Sequence, residues 1–298
     1  MTDGPRRIAT CGVNLHAIVE GDGTPVVLLH GFTGSAASLA DTAAGLRDHH
    51  RTIRIDLVGH GESDAPRDAT AYDMRSCADQ VAGVTLALDA RPAHFIGYSM
   101  GGRVALALCV WRPDLVASAL VIGARAGIDD AAERAVRVRH DCALADRIER
   151  EGVPRFVDHW MALPLFASQR RLGPAALREA REARLANRAH GLALSLRGMG
   201  AGAQPPLGAR LGEVRAPVCL VAGKEDARFR AIAEALAQRL PRSRVEIVPS
   251  AGHAAHVENP SAFLRLARRF LAEVDAHSRT TQPALEMTPA NVERTPTA

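Results

Sequence analysis

The chain has almost no lysine: of its 37 basic side chains only Lys224 is one, and the rest are arginine. Arginine this abundant and this evenly spread carries no meaning by count, so each one has to be argued from its position. The formal net charge is +4, but no basic block interleaved with aromatics occurs and aromatics make up only 4% of the chain, which argues against nucleic-acid binding. Cysteine is also sparse. Cys11, Cys77, Cys109, Cys142 and Cys219 are odd in number, scattered and without a C-x-x-C pair, which disfavours both a disulfide framework and a cysteine zinc site. They are expected as reduced core residues, and no metal site is expected. No apolar run approaches the roughly 20 residues of a membrane span, and the opening Met1 to Arg7 lacks the apolar core of a signal peptide. A cytoplasmic chain with no membrane association is the expectation; no feature of the sequence sets its oligomeric state.

What is present is a repeating pattern. Val26 to Leu29, Arg51 to Ile55, Ala93 to Ile96 and Ala119 to Ile122 are short apolar runs rich in β-branched residues, as in buried parallel strands. Between them, Met74 to Leu88 and Gly102 to Trp111 have helical periodicity, the second ending before Pro113. Alternating strand and helix predicts an α/β domain with a mostly parallel sheet flanked by helices. From Asp129 to Arg197 the pattern is helical throughout, which predicts a helical cap at about 125–205 inserted into that domain. Val218 to Ala222 and Val245 to Val248 restore the strand pattern, and Ala262 to Val274 reads as a closing amphipathic helix. The main domain is thus expected over 1–274. Residues 275–298, rich in Thr, Pro and Ala without apolar period, are expected as a disordered tail.

Gly97-Tyr-Ser-Met-Gly101 fits G-x-S-x-G directly after a strand and directly before a helix, the context that motif requires. A serine hydroxyl is a poor nucleophile or base near neutral pH and needs an imidazole held by a carboxylate. Asp226 and His253 each follow a strand, in the order Ser, Asp, His of the α/β-hydrolase fold, at the sheet ends where open α/β sheets place their sites. His30-Gly-Phe-Thr33 resembles that fold's oxyanion loop, so the backbone N–H groups of Phe32 and Met100 are the candidate oxyanion donors. His30 itself and the turn from Asp56 to Ser63 are assigned to scaffold.

The resemblance narrows further. Gly97 to Arg103, the cap segment Trp160 to Ser168, the run Met199 to Pro205 and Asp226-Ala-Arg-Phe-Arg230 together resemble the 2-succinyl-6-hydroxy-2,4-cyclohexadiene-1-carboxylate synthases of menaquinone biosynthesis, over about Val26 to Leu271. That resemblance implies a lyase that eliminates pyruvate from a polycarboxylated cyclohexene, with no cofactor. It also implies that Arg137 and Arg184 contact substrate carboxylates and that Trp160 lines the pocket, where packing within the cap is the alternative reading. Arg103 stands one helical turn beyond Ser99 on a face that is usually buried, so it needs either an internal acid or an anionic ligand. Tyr98 either contacts the ligand or packs under the turn. Bidentate arginine suits a small-molecule polycarboxylate.

The chemistry expected is that His253, oriented by Asp226, deprotonates Ser99, whose oxygen removes a ring proton. Two other readings use the same residues. One is an ester or carbon–carbon bond hydrolase with Ser99 as nucleophile, distinguished by turnover of simple esters. The other is a catalytically silent binding protein on the same fold.

Overall fold

The structure is a computed structural model and describes residues 3–281. One eight-stranded sheet organises it: β1 (Gly4–Thr10), β2 (Val13–Glu20), β3 (Thr24–Leu29), β4 (His50–Ile55), β5 (Ala93–Tyr98), β6 (Val116–Ile122), β7 (Val218–Gly223) and β8 (Ser243–Val248). Their spatial order is β1-β2-β4-β3-β5-β6-β7-β8. Strands β1 and β2 form an antiparallel hairpin and β2 runs antiparallel to β4, whereas every pair from β4 to β8 is parallel. The hairpin adds two strands to the six visible as apolar runs.

The helices are α1 (Ala40–Ala44), α2 (Met74–Ala87), α3 (Met100–Trp111), α4 (Ala131–Met161), α5 (Gly173–Leu185), α6 (Ala189–Met199), α7 (Ala227–Ala237), α8 (Ala255–Glu258) and α9 (Pro260–Thr281). Period-two alternation in the central strands divides the core into two layers. Val27, Leu29 and Phe95 pack with residues of α2, α3 and α7, while Val26, Leu28 and Ile96 pack with Ala43 of α1 and with Phe263, Ala267 and Leu271 of α9. Both faces of the parallel sheet are thereby covered, which is why its strands read as continuous apolar runs rather than alternating ones.

Helices α4 to α6 lie between β6 and β7 and hold a separate apolar cluster in which Ile148, Phe156 and Val157 meet Leu192 and Leu196. Helix α4 is kinked where Gly152 adopts φ 77° two residues before Pro154. Asn187 ties this layer to the sheet loops, donating to the Thr33 carbonyl (2.9 Å) and accepting from the Gly61 N–H (3.0 Å).

One boundary differs from expectation. Helix α9 continues past Val274 to Thr281, so the first part of the expected tail is helical. The reason is a polar anchor: the Asp275 carboxylate reaches His94 Nε2 at 3.0 Å. Residues 282–298 of that tail lie outside the described residues.

Candidate active site

Ser99 sits between β5 and α3 with φ 50° and ψ −105°, a strained backbone for a residue with a side chain. The turn is possible because both flanking glycines lack a Cβ. A Cβ on Gly97 would meet the Gly101 carbonyl, and one on Gly101 would meet the carbonyls of Leu29 and His30. The Ser99 N–H is tied to the Ile122 carbonyl (2.8 Å), which fixes the turn to β6.

His253 presents Nε2 to Ser99 Oγ at 3.4 Å and Nδ1 to Asp226 Oδ2 at 2.9 Å. Asp226 caps α7, its other oxygen accepting from the Phe229 N–H (3.1 Å), so the carboxylate is fixed before it meets the imidazole. Asp226 and His253 are buried, and the ring of His253 packs beside Phe229 and Tyr98 with centroids 4.5 and 5.4 Å away. The sequence did not mark Glu258, yet it grips the loop on both sides of His253: Oε2 accepts from the Gly252 N–H (2.7 Å) and Oε1 from the Ala254 N–H (3.1 Å). Its only signal in sequence is a carboxylate a few residues after the histidine, which is too common to single out.

Ser99 opens onto a cavity of about 310 Å³ roofed by α4 and α6. Phe32, Met100, Tyr98, Arg103, Arg137 and Trp160, all singled out in the sequence, line it. The N–H of Met100 opens α3 and so lacks a helical acceptor. Among the described residues, neither that group nor the Phe32 N–H is hydrogen-bonded. Trp160 serves both of its readings, facing the cavity and packing against Phe32 (5.3 Å) and Phe166 (5.6 Å) between centroids. Tyr98 does likewise, its ring also lying 4.6 Å from that of His256, and burial pushes its hydroxyl well above the ordinary phenol range.

Arg184 is the predicted residue that the structure leaves outside the lining. It is half-buried on α5, donates to the Ala180 carbonyl one turn back (2.6 Å), and lies within electrostatic reach of Tyr98. Of the lining arginines and carboxylates, Arg125 and Asp141 were not singled out in the sequence, and Arg228 was quoted only as part of the segment from Asp226 to Arg230, with no role of its own.

The charge distribution is one-sided. Arg103 is 9% exposed and its Nη1 donates to the Met199 carbonyl (2.5 Å) and to Gln204 Oε1 (3.0 Å), both neutral. Burial, reinforced by the nearby charge of Arg137, draws its guanidinium down to about 10, with Asp141 acting in the opposite sense. Arg137 Nε donates to Asp141 Oδ1 at 2.8 Å, and Arg125 pairs with Glu133 at 3.1 Å. Four guanidiniums therefore border a cavity to which the protein contributes a single lining carboxylate.

The scaffold assignments fit the geometry. His30 accepts the Leu57 N–H on Nε2 (3.0 Å), and burial lowers its pKa. Asp56 receives the N–H groups of Ala36 (2.5 Å) and Glu62 (3.0 Å).

The profile described as alpha/beta hydrolase fold matches residues 24–260. A Bacillus subtilis (strain 168) protein that carries the synthase name provisionally is 41% identical over 84% of this chain and 90% of its own length. The 2-succinyl-6-hydroxy-2,4-cyclohexadiene-1-carboxylate synthase of Serratia proteamaculans (strain 568) is 31% identical over 85% of this chain and 94% of its own. The chain belongs to the 2-succinyl-6-hydroxy-2,4-cyclohexadiene-1-carboxylate synthase family. The solved structure of MenH from S. aureus is 30% identical and superposes with a TM-score of 0.83 over 87% of this chain and 98% of that one. The family-model match, residues 24–260, runs through α4 to α6 as well as most of the sheet. Family membership makes the chain an enzyme of small molecules. Among the described residues, no helix is long and apolar enough to cross a membrane.

Proposed function

We propose that this chain is a 2-succinyl-6-hydroxy-2,4-cyclohexadiene-1-carboxylate synthase, a lyase that eliminates pyruvate from 2-succinyl-5-enolpyruvyl-6-hydroxy-3-cyclohexene-1-carboxylate in the menaquinone pathway of the cytoplasm. The observation that carries the reading is Arg103. It is a buried guanidinium one helical turn past Ser99, hydrogen-bonded only to neutral groups and bordered by further arginines. A pocket for neutral esters gains nothing from such a group, whereas a substrate with three carboxylates supplies the anions it lacks.

In this reading Asp226 orients His253, whose Nε2 takes the Ser99 proton. The serine oxygen then removes the ring proton beside the succinyl ketone. Charge on the ketone oxygen is held by the N–H groups of Phe32 and Met100, the carbon–oxygen bond to pyruvate breaks, and His253 returns a proton to the departing enolate. Ser99 is a base here and forms no acyl-enzyme. Arg103 and Arg137 bind carboxylates, Trp160 and Tyr98 shape the wall around the ring, and Arg184 adds positive potential at the Tyr98 end.

Conversion of the enolpyruvyl substrate to the cyclohexadiene product, followed by ultraviolet absorbance, tests the assignment. Product formation is expected, with no covalent adduct on Ser99 in acid-quenched samples examined by mass spectrometry. Absence of conversion together with esterase-rate cleavage of nitrophenyl esters would replace the lyase with a hydrolase.

A further inference from the structure

The end of the sheet opposite the cavity carries a second polar cluster that the reaction does not use. His50 is the first residue of β4, His94 the second residue of β5, and Asp275 lies on α9, so three distant segments converge where the parallel strands begin. His94 Nε2 stands 3.0 Å from Asp275 Oδ1, and His50 Nε2 stands 3.4 Å from Asp275 Oδ2. One donor atom from each of the three lies within 4.8 Å of the others. The side chains are 8%, 1% and 17% exposed for His50, His94 and Asp275.

We propose that His50, His94 and Asp275 form a binding site for a divalent transition ion of the zinc type, with water as the fourth ligand. Two imidazoles and a carboxylate are the nitrogen and oxygen donors that such ions take at about 2.0–2.2 Å, and donors at that radius in a tetrahedron stand a little over 3 Å apart. The two histidine–carboxylate separations stand near that value, and the two imidazoles, whose ligand atoms lie within 4.8 Å, need only side-chain rotation to close on an ion. His50 is the unusual member: buried, with neither ring nitrogen in a well-formed hydrogen bond within the protein. Its Nε2 meets only the long 3.4 Å contact to Asp275, so a closer partner would improve on the present arrangement.

His94 has the surroundings of a ligand. Its Nδ1 lies 2.8 Å from Ser118 Oγ, a hydroxyl that can donate to Nδ1 while Nε2–H donates to Asp275, or accept the Nδ1 proton and free the Nε2 lone pair when an ion takes that proton's place. The partial exposure of Asp275 admits water to the remaining position. An ion held there clips α9 to the starts of β4 and β5, at the end of the sheet away from Ser99, so its effect falls on stability and not on turnover.

Titration of the metal-free full-length chain with Co(II) and with Zn(II) tests the site. One Co(II) per chain is expected, with the intense visible bands of four-coordinate cobalt, displaced by one equivalent of Zn(II). Zn(II) should raise the melting temperature and EDTA should reverse the rise. Asp275→Asn, at a partly exposed position, and His50→Gln should each abolish both the cobalt bands and the melting shift while leaving turnover within twofold of the parent. Weak six-coordinate spectra, no saturable binding at micromolar metal, or identical binding by parent and both variants would overturn the proposal. If His50→Gln fails to fold, Asp275→Asn alone decides it.

Discussion

Arg137 Nε donates to Asp141 Oδ1 across 2.8 Å, one turn along α4, and the second oxygen of that buried carboxylate has no hydrogen bond within the protein. The pair holds a cation at the cavity wall with its remaining N–H groups free to meet a substrate carboxylate. A charge-assisted hydrogen bond contributes about 1.5–3 kcal/mol, discounted here because Arg137 is 35% exposed. Arg137→Ala is expected to raise KM by about 10-fold with a smaller change in kcat. Asp141→Asn, which keeps the arginine but loosens its orientation, should raise KM by a smaller factor. Steady-state kinetics of both variants check this, and unchanged KM in both would remove Arg137 from substrate binding.

Glu258 braces the loop that carries His253 and lies outside the cavity lining. Removing its carboxylate frees the Gly252 and Ala254 N–H groups on either side of His253. Glu258→Ala should lower kcat by about 10- to 100-fold with KM nearly constant, by analogy with losses seen when a supporting residue of a site is removed. Glu258→Gln, which retains one acceptor oxygen, should recover part of that loss. Equal loss in both variants, accompanied by a large drop in melting temperature, would mean that Glu258 acts on folding and not on the position of His253.

The turn at Ser99 tolerates no methyl group on its C-terminal side. Gly101→Ala places a Cβ against the backbone carbonyls of Leu29 and His30, neither of which can swing aside as a side chain can. A cost of about 1–3 kcal/mol in stability is expected, together with loss of most activity as Ser99 is displaced. Chemical denaturation and a rate assay measure the two effects, and a variant with normal values of both would show that the elbow is slack.

Stability should fall on acidification, through buried histidines. Burial lowers His60 and His256 to about 3, with His30 and His253 nearby adding to the effect at His60 and His256 respectively. Both therefore stay neutral in the folded chain while the unfolded chain protonates near 6.5. Between those values the unfolded state binds more protons, so stability rises with pH and is lost as pH falls from about 6.5 toward 3. Each group contributes up to about 1.4 kcal/mol per pH unit in that window. His256→Leu should flatten the dependence of melting temperature on pH relative to the parent, and an identical slope would show that His256 is not among the groups responsible.

The parts of the fold legible in the sequence were those with one dominant signal. The buried strands β3 to β7 read as continuous apolar runs because both sheet faces are covered. The hairpin β1 and β2 did not, since its residues alternate between faces, the exposed Arg7 beside the half-buried Ile8 among them, and mimic a polar leader. Asp275 shows why the closing helix was cut short: its side chain is polar by composition but anchored in three dimensions to His94. The triad was legible because each member follows a strand in a fixed order. Arg125 was not, because in a chain with this much arginine its sequence context matches that of surface residues such as Arg210, which pairs with Glu213, and Arg228 was visible only as part of a quoted segment. Arg184 shows the converse, a residue singled out by resemblance whose guanidinium is held by its own helix.

The central claim is that Ser99 drives elimination of pyruvate from an anionic substrate, and the direct measurement is pyruvate release. Purified chain incubated with the enolpyruvyl cyclohexene, with a coupled pyruvate assay and subtraction of the spontaneous reaction, should release pyruvate rapidly. Ser99→Ala and His253→Ala should each lower the rate by about 10³-fold or more. Release at the background rate by the parent, or at the parent rate by Ser99→Ala, would contradict the account.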